Sequence, residues 1–530
     1  MDEFDYVVVG AGSSGGPLVD RLTATGRHSV LLLEAGPEAR SLWLSIPAGF
    51  AVTLRDPAVN WKSSTEPEEH LCGRRIYWPR GKVVGGSSAI GGTVYVRGLA
   101  SDYDRWHRLG NEGWSFEDCL PYFRRLEAFA DGGTELRGGS GPVKITQGEY
   151  YNELGESFLE ACTEIGLEIT SDFNGPRREG AGYYHATVSD GRRNSTGRAY
   201  IAHARRRPNC RILTRALVER VMVEGGCAVG VAYRLGGSRR VVRARREVIL
   251  SAGTVGSPQL LQLSGIGDGA HLSSLGIPVV RDLPGVGDNL QDHYCISSSY
   301  RTWWQLSLND DFNVVHRRLT AALVYALGRS GPLNATPAFA GAFVCVLPES
   351  AEPDTQLHFF PWSIDGIKRR PHRFSGFTIV ANQSRPESRG HVRIASSEAE
   401  VPPAIVANYL ATDGDRRAAV EAARFTRLLA RSPALGRIVT EELLPGGEVW
   451  TDEEFLAFVR RKGQSAYHPV GTCRMGRDPR SVVDPRLRVH GIAGLRIADA
   501  SVMPTLVSGN TNAACMMIGE KASDLILADA

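Results

Sequence analysis

Apolar positions in this chain fall into two rhythms, and the first appears at once. The run Phe4 to Val9, rich in β-branched residues, predicts a buried strand that enters Gly10-Ala11-Gly12-Ser13-Ser14-Gly15. A helical pattern follows, and Val30 to Leu33 predicts a second strand that ends on Glu34. The same continuous apolar signal returns at Cys210–Thr214, Val218–Val223, Ala228–Leu235 and Glu247–Ala252, the last running into Gly253 and a helix with Pro258 near its start. Between these blocks Pro37 to Gly98 is irregular and long enough to predict a functional loop, and Glu153–Glu164 predicts a helix. Beyond His293 the pattern becomes alternating. Thr355–Phe360, Phe377–Asn382 and His391–Ala395 predict antiparallel strands, and Arg317–Leu327, Asp415–Leu429 and Thr451–Arg461 predict helices, the last opened by a Thr451/Glu454 capping box. Glycine-rich and strand signals resume at Gly463 and end in a helix, Asn512–Leu527. The fold class predicted is α/β plus α+β.

A chain of 530 residues exceeds one ordinary core and predicts two domains. Its 42% hydrophobic and 22% charged content is that of a soluble globular protein, and a net charge of +3 asks for no polyanionic partner. The clusters Arg205-Arg206-Arg207 and Arg239-Arg240 lack interleaved aromatic residues, so they read as solvated faces and no nucleic acid is expected. Nine cysteines without a C-x-x-C pair read as reduced thiols, and the longest apolar run, Ala338–Leu347, is half a membrane helix. With no room for a leader before the first strand, the expected location is the cytoplasm, with no transmembrane segment.

The opening strand, turn and helix carry the first chemistry. In G-x-G-x-x-G, Gly10 permits the turn, Gly12 admits a pyrophosphate to the backbone and Gly15 lets the helix pack on the sheet, while the helix N-terminus faces phosphate. Glu34 follows Gly12 by about 20 residues, where a ribose-binding acid belongs. At this point NAD and FAD both remain open. Pro79 to Gly92 concentrates glycine and serine as an extended ligand requires. Near the C-terminus, His468 precedes Pro469 and has the pKa range of a base for a hydroxyl proton. Asn510 and Asn512 begin the final helix, where they either cap it or contact a substrate and a group that becomes negative on reduction. His358 reads as a core residue and His293 as structural at a domain junction. No H-E-x-x-H, clustered Cys/His or G-x-S-x-G suggests a metal or a serine hydrolase.

Taken together, the cradle, Pro79–Gly98, Gly253–Gly267, Gly285–His293, Ser388-Arg389-Gly390, Asn408-Tyr409-Leu410, His468–Gly476 and Asn510–Glu520 resemble the blocks of the glucose–methanol–choline (GMC) oxidoreductases, in family order along essentially the whole chain. The resemblance implies a Rossmann-like FAD-binding domain (1–150, 190–295 and 463–530) and a discontinuous substrate domain built on an antiparallel sheet with helices (151–189 and 296–462). It implies FAD held by Gly10, Gly12, Ser13, Ser14, Gly15, Glu34, Ala35, Val84, Gly86, Ser87, Gly91, Gly92, Val218, Ala252, Gly253, Asp499, Ala500 and Asn512. Val218 would meet adenine through its backbone, Asp499 and Ala500 the ribityl and phosphate portion, and Asn512 the isoalloxazine. His468 would be the catalytic base and Asn510 its companion, oxidising a small-molecule alcohol to an aldehyde with hydride passing to flavin N5 and oxygen or another acceptor taking the electrons.

Two departures mark the first signature: Gly91 and Thr93 stand where asparagine and methionine are common. Ala514 replaces a common proline. Ile90 replaces the histidine through which some members attach FAD, so non-covalent FAD is expected. Trp303, Trp304, Phe339, Phe360 and Trp362 suggest an apolar or aromatic primary alcohol, with core packing the alternative. The rival readings are a non-redox or light-driven FAD-dependent lyase or decarboxylase, and a flavin-binding protein without activity.

Overall fold

The computed structural model describes residues 2–148, 150–303, 307–365 and 370–530. Its first sheet has seven strands, with the opening strand Glu3–Val9 in the middle. Val30–Glu34 and then Cys210–Thr214 lie parallel on one side of it. On the other side the far end of the long strand Ser238–Leu250 runs parallel, and Cys227–Leu235 and Ala216–Glu224 continue antiparallel. Leu495–Ile497 pairs with Val248–Leu250 from the C-terminal end of the chain. Val7–Val9, Val30–Glu34 and Val248–Leu250 are buried on both faces, which is why they read as unbroken apolar runs, while Cys210–Thr214 at the edge is only partly covered. Their carboxyl ends share one edge, and ligands of open α/β sheets bind outside that edge.

The second sheet, also of seven strands, is antiparallel in the order Val439–Leu444, Tyr294–Thr302, Gly376–Gln383, Thr355–Phe360, Ala340–Val344 and Gly180–Tyr183, with Gln464–Ser465 beside Tyr294–Cys295. The helix Asp413–Arg431 packs against it. Several of its strands escape sequence patterning, three of them for visible reasons. Ala340–Val344 is buried on both faces and cannot alternate. Tyr294–Thr302 carries buried serines whose hydroxyls meet Thr378 and Thr426, and Val439–Leu444 lies at the sheet edge. His391–Arg393, expected in the sheet, instead forms a separate ribbon with Ala404–Val406. The closing helix Asn512–Ala528 packs on Gly15–Thr23, so the two ends of the chain meet. No helix among the described residues is long and apolar enough to cross a membrane.

Candidate active site

The carboxyl edge of the first sheet opens into a cavity of about 610 Å³ whose wall also includes Ala466–Pro469 and Asn510–Asn512. At its head Gly10 has φ +104°, and an added Cβ would lie 2.4 Å from Ser251 O; at Gly15 a Cβ would lie 2.0 Å from Gly10 O. Both glycines are therefore demanded by the protein's own packing. Gly12 differs: the nearest atom to a Cβ there is 3.9 Å away, so the space it leaves belongs to a ligand. Glu34 turns its carboxylate toward this turn, accepting from Ala11 N (2.9 Å) and Gly36 N (2.8 Å), and burial raises its pKa to about 7. Ser13 Oγ donates to Asn512 Oδ1 (2.7 Å) and Ser14 Oγ to Cys515 O (2.7 Å), pinning the last helix to the cradle. Asp499 accepts from Gly253 N (2.9 Å) and Ser501 N (2.8 Å).

Of the residues read from the sequence as cofactor contacts, Gly10, Gly12, Ser13, Ser14, Glu34, Ala35, Gly86, Ser87, Gly91, Gly92, Val218, Ala252, Gly253, Asp499, Ala500 and Asn512 line this cavity. Gly15 and Val84 do not. Gly15 is spent on helix–strand contact, and Val84 is buried with its amide on Pro37 O (3.1 Å). The turn that lacks the common asparagine still closes: Arg193 donates to Gly91 O, and Thr187 N to Thr93 O at 2.9 Å. Thr93 sits at φ +66°, a strained conformation for a β-branched residue. Of the aromatic residues expected around substrate, Trp303 is exposed and bonded to Arg437 O, Phe339 is packed against Phe359, and Phe360 and Trp362 pack on each other outside the cavity wall. Trp304 lies outside the described residues. The aromatic side chains that do line the cavity are Trp61 and Tyr467.

His468 lines the same cavity. Its loop is held by Asp292, which accepts from His468 N (2.7 Å) and from the hydroxyls of Ser465 and Tyr409. Burial raises this carboxyl to about 6. Tyr467 is forced to φ +66°, with its amide on Ser465 Oγ (2.7 Å), and its carbonyl receives Arg80 (2.6 Å). The imidazole is fixed from both sides. Its Nδ1 lies 3.0 Å from His293 Nδ1, and its Nε2 lies 3.1 Å from Asn510 Nδ2. His293 Nε2 is 3.0 Å from Ser384 O. Gln356 Nε2 donates to Asn510 Oδ1 (3.1 Å) and to Tyr184 OH (3.2 Å).

These bonds determine the proton positions. The Ser384 carbonyl can only accept, so His293 carries its proton on Nε2. Burial lowers His293 to about 4, so it is neutral and its bare Nδ1 accepts from His468 Nδ1–H. Burial, together with the nearby His293, His358 and Arg80, holds His468 well below the ordinary histidine range. His468 is therefore neutral, with its lone pair on Nε2. Because Gln356 donates to Asn510 Oδ1, the amide of Asn510 points its NH₂ at that lone pair. The arrangement is a proton acceptor with a donor beside it, on the wall of a dinucleotide-sized cavity.

His293, read from sequence as structural, is thus in direct contact with His468. The bridge Gln291–Val470 and the pair Tyr294–Ser465 set the segments antiparallel and bring the rings together. Arg80 and Asp292 lie within the blocks Pro79–Gly98 and Gly285–His293 but carried no role of their own there, and Gln356 gave no local signal.

A dinucleotide cradle and a buried neutral base on one cavity fit a dinucleotide-dependent oxidoreductase acting on alcohols. The family models for GMC oxidoreductase match residues 4–295 and 386–519. The chain is 42% identical, over 99% of its length and 95% of the relative's, to the oxygen-dependent choline dehydrogenase of Vibrio vulnificus (strain YJ016). It is 41% identical to the mitochondrial choline dehydrogenase of Mus musculus, over 99% of this chain and 89% of that one. Pyridoxine 4-oxidase from Mesorbium loti superposes with a TM-score of 0.89 at 29% identity, covering 98% of each chain. The chain belongs to the GMC oxidoreductase family and is an FAD-dependent enzyme that oxidises CH–OH donors. These relatives lend no support to the lyase reading.

Proposed function

We propose that the substrate is a small primary alcohol and that His468 is the base that takes its hydroxyl proton. The observation that carries this is the chain Ser384 O, His293, His468 and Asn510, which puts the imidazole lone pair on Nε2, beside the Asn510 amide and on the cavity wall. A hydroxyl entering at Nε2 shares that position with the Asn510 amide, which donates to the alcohol oxygen as negative charge grows there. As His468 becomes imidazolium, its Nδ1–H keeps a neutral acceptor in His293, so the new charge is hydrogen-bonded rather than stranded. FAD, when bound, supplies the hydride acceptor. Sixteen of the proposed contacts already line the space in which it would lie, and Ile90 offers no side chain for a covalent link, so the cofactor is held without a bond. The division into an FAD-binding domain and a substrate domain at the boundaries above belongs to the same reading. So does a reducing compartment such as the cytoplasm, in which nine unpaired cysteines persist.

The relatives' names put choline first among substrates to test, and the residues that suggested an aromatic alcohol lie elsewhere. The decisive experiment is anaerobic stopped-flow with a panel of alcohols. His468→Ala should slow bleaching of the flavin by at least ~10²-fold while FAD stays bound. Bleaching at the wild-type rate would remove His468 from the role of base. Admission of air afterwards distinguishes oxygen from another acceptor.

A further inference from the structure

The helix Val315–Gly328 is built the wrong way round for a soluble protein. Its inner side is held by the buried Ala321 and Tyr325, with the Tyr325 hydroxyl donating to Gly191 O at 2.8 Å. On the opposite side Val315, Leu319, Leu323 and Leu327, one turn apart, are 69%, 67%, 59% and 81% exposed. At about 100° per residue, these positions fall on the arc facing away from Ala321 and Tyr325. An ordinary surface helix turns this stripe inward, and an exposed apolar patch of this kind marks an interaction surface.

Charge identifies the occupant. From Phe312 to Pro348 the sequence has no aspartate or glutamate, while His316, Arg317, Arg318 and Arg329 lie on or beside the helix. At its N-terminal end Asn313 bonds His372 O (2.5 Å), which brings the exposed Arg370 and Arg373 alongside. At its C-terminal end Arg192, Arg198 and Arg329 surround Tyr325. The acids nearby are Asp310 and Asp311, the latter already facing Arg317, Asp365, which lies opposite Arg370 in a two-stranded ribbon, and Asp190 in the turn beneath the helix; the arginines outnumber them. A second copy of the chain docking here about a two-fold axis would set these cations against one another. Anionic headgroups would neutralise them, and the aliphatic stripe would reach the acyl boundary below. With 14 residues the helix is too short to span a bilayer, so it lies along the surface.

We propose that Val315–Gly328 is an interfacial anchor that docks this enzyme on an anionic lipid surface. The test is sedimentation of the full-length holoenzyme with vesicles of phosphatidylcholine alone, and of phosphatidylcholine with about a third phosphatidylglycerol. The wild type should sediment with the anionic vesicles, be released by high salt and leave the neutral vesicles largely unbound. The double variant Leu319→Glu, Leu323→Glu should lose partitioning by at least ~10-fold while keeping its FAD and its rate of alcohol oxidation. Should that variant fail to retain FAD, Leu327→Gln at the most exposed position gives the same reading with a smaller loss. The proposal is overturned if the wild type ignores anionic vesicles, if the substitutions leave partitioning unchanged, or if sedimentation equilibrium shows a dimer that Leu323→Glu splits with no vesicle binding by either form.

Discussion

Replacing His293 by phenylalanine tests whether the proton arrangement around His468 is what makes it a base. In the native site His468 Nδ1–H has one acceptor, His293 Nδ1 at 3.0 Å. Phenylalanine keeps a ring in the space and removes the acceptor, leaving a buried N–H unpaired at a cost of about 1–3 kcal/mol. The penalty is felt most when His468 is imidazolium, because that N–H then carries part of the charge. At ~1.4 kcal/mol per factor of ten, flavin reduction should slow by roughly 5- to 150-fold. The acid limb of the pH–rate profile should move to lower pH, since the charged form has lost its support. His293→Gln, which can accept through Oε1 and donate to Ser384 O through Nε2, should recover much of the rate. The assay is anaerobic stopped-flow from pH 5 to 9, with FAD content and thermal melting as controls. A His293→Phe enzyme that keeps its FAD, reduces it at the wild-type rate and shows an unmoved acid limb would refute the reasoning.

Three further outcomes follow from the geometry. Gly15→Ala drives a Cβ to 2.0 Å from Gly10 O and should abolish the folded protein, whereas Gly12→Ala meets nothing closer than 3.9 Å and should melt normally while losing FAD; thermal melts with flavin absorbance separate the two. Gly91→Asn has an extended backbone, but its Cβ would press on Ser87 O at 3.1 Å, so a modest destabilisation of about 1 kcal/mol is expected in urea midpoints, while the flavin spectrum reports the added side chain. His293 and His358 are both buried neutral with pKa about 4, against 6.5 when unfolded. The unfolded chain therefore binds protons first as pH falls, and the two histidines cost stability between pH 6.5 and 4 at ~1.4 kcal/mol per unit each. Asp292, raised to about 6 from 3.8, acts in the opposite sense between those values and offsets one of them. Glu34, raised to about 7 from 4.5, acts in the same sense as Asp292, so these four groups together nearly cancel by pH 4. His293→Gln removes one of the two destabilising histidines, so its urea midpoints should hold up better than the wild type's between pH 6.5 and 4, by about 3 kcal/mol at the acid end.

What the sequence by itself determined is local. The cradle needs only consecutive residues: a strand, three spaced glycines, a helix and an acid one strand later. Hydrophobic runs and glycines display it without knowledge of anything distant. His468 and Asn510 have ordinary local uses, extended backbone before a proline and a helix cap, and it was their place in the family's blocks that nominated them. Tertiary structure decided which nominations cooperate. His293 looked structural because its meaning lies in the register of 290–294 against 464–470, segments nearly two hundred residues apart whose pairing no local pattern encodes. Gln356 sits on a strand buried on both faces, where a polar residue breaks no visible alternation, and its value is a bond to Asn510, which lines the cavity. The same limit explains the misplaced aromatic lining: side-chain type shows that a residue wants burial, and only packing shows which cavity it faces.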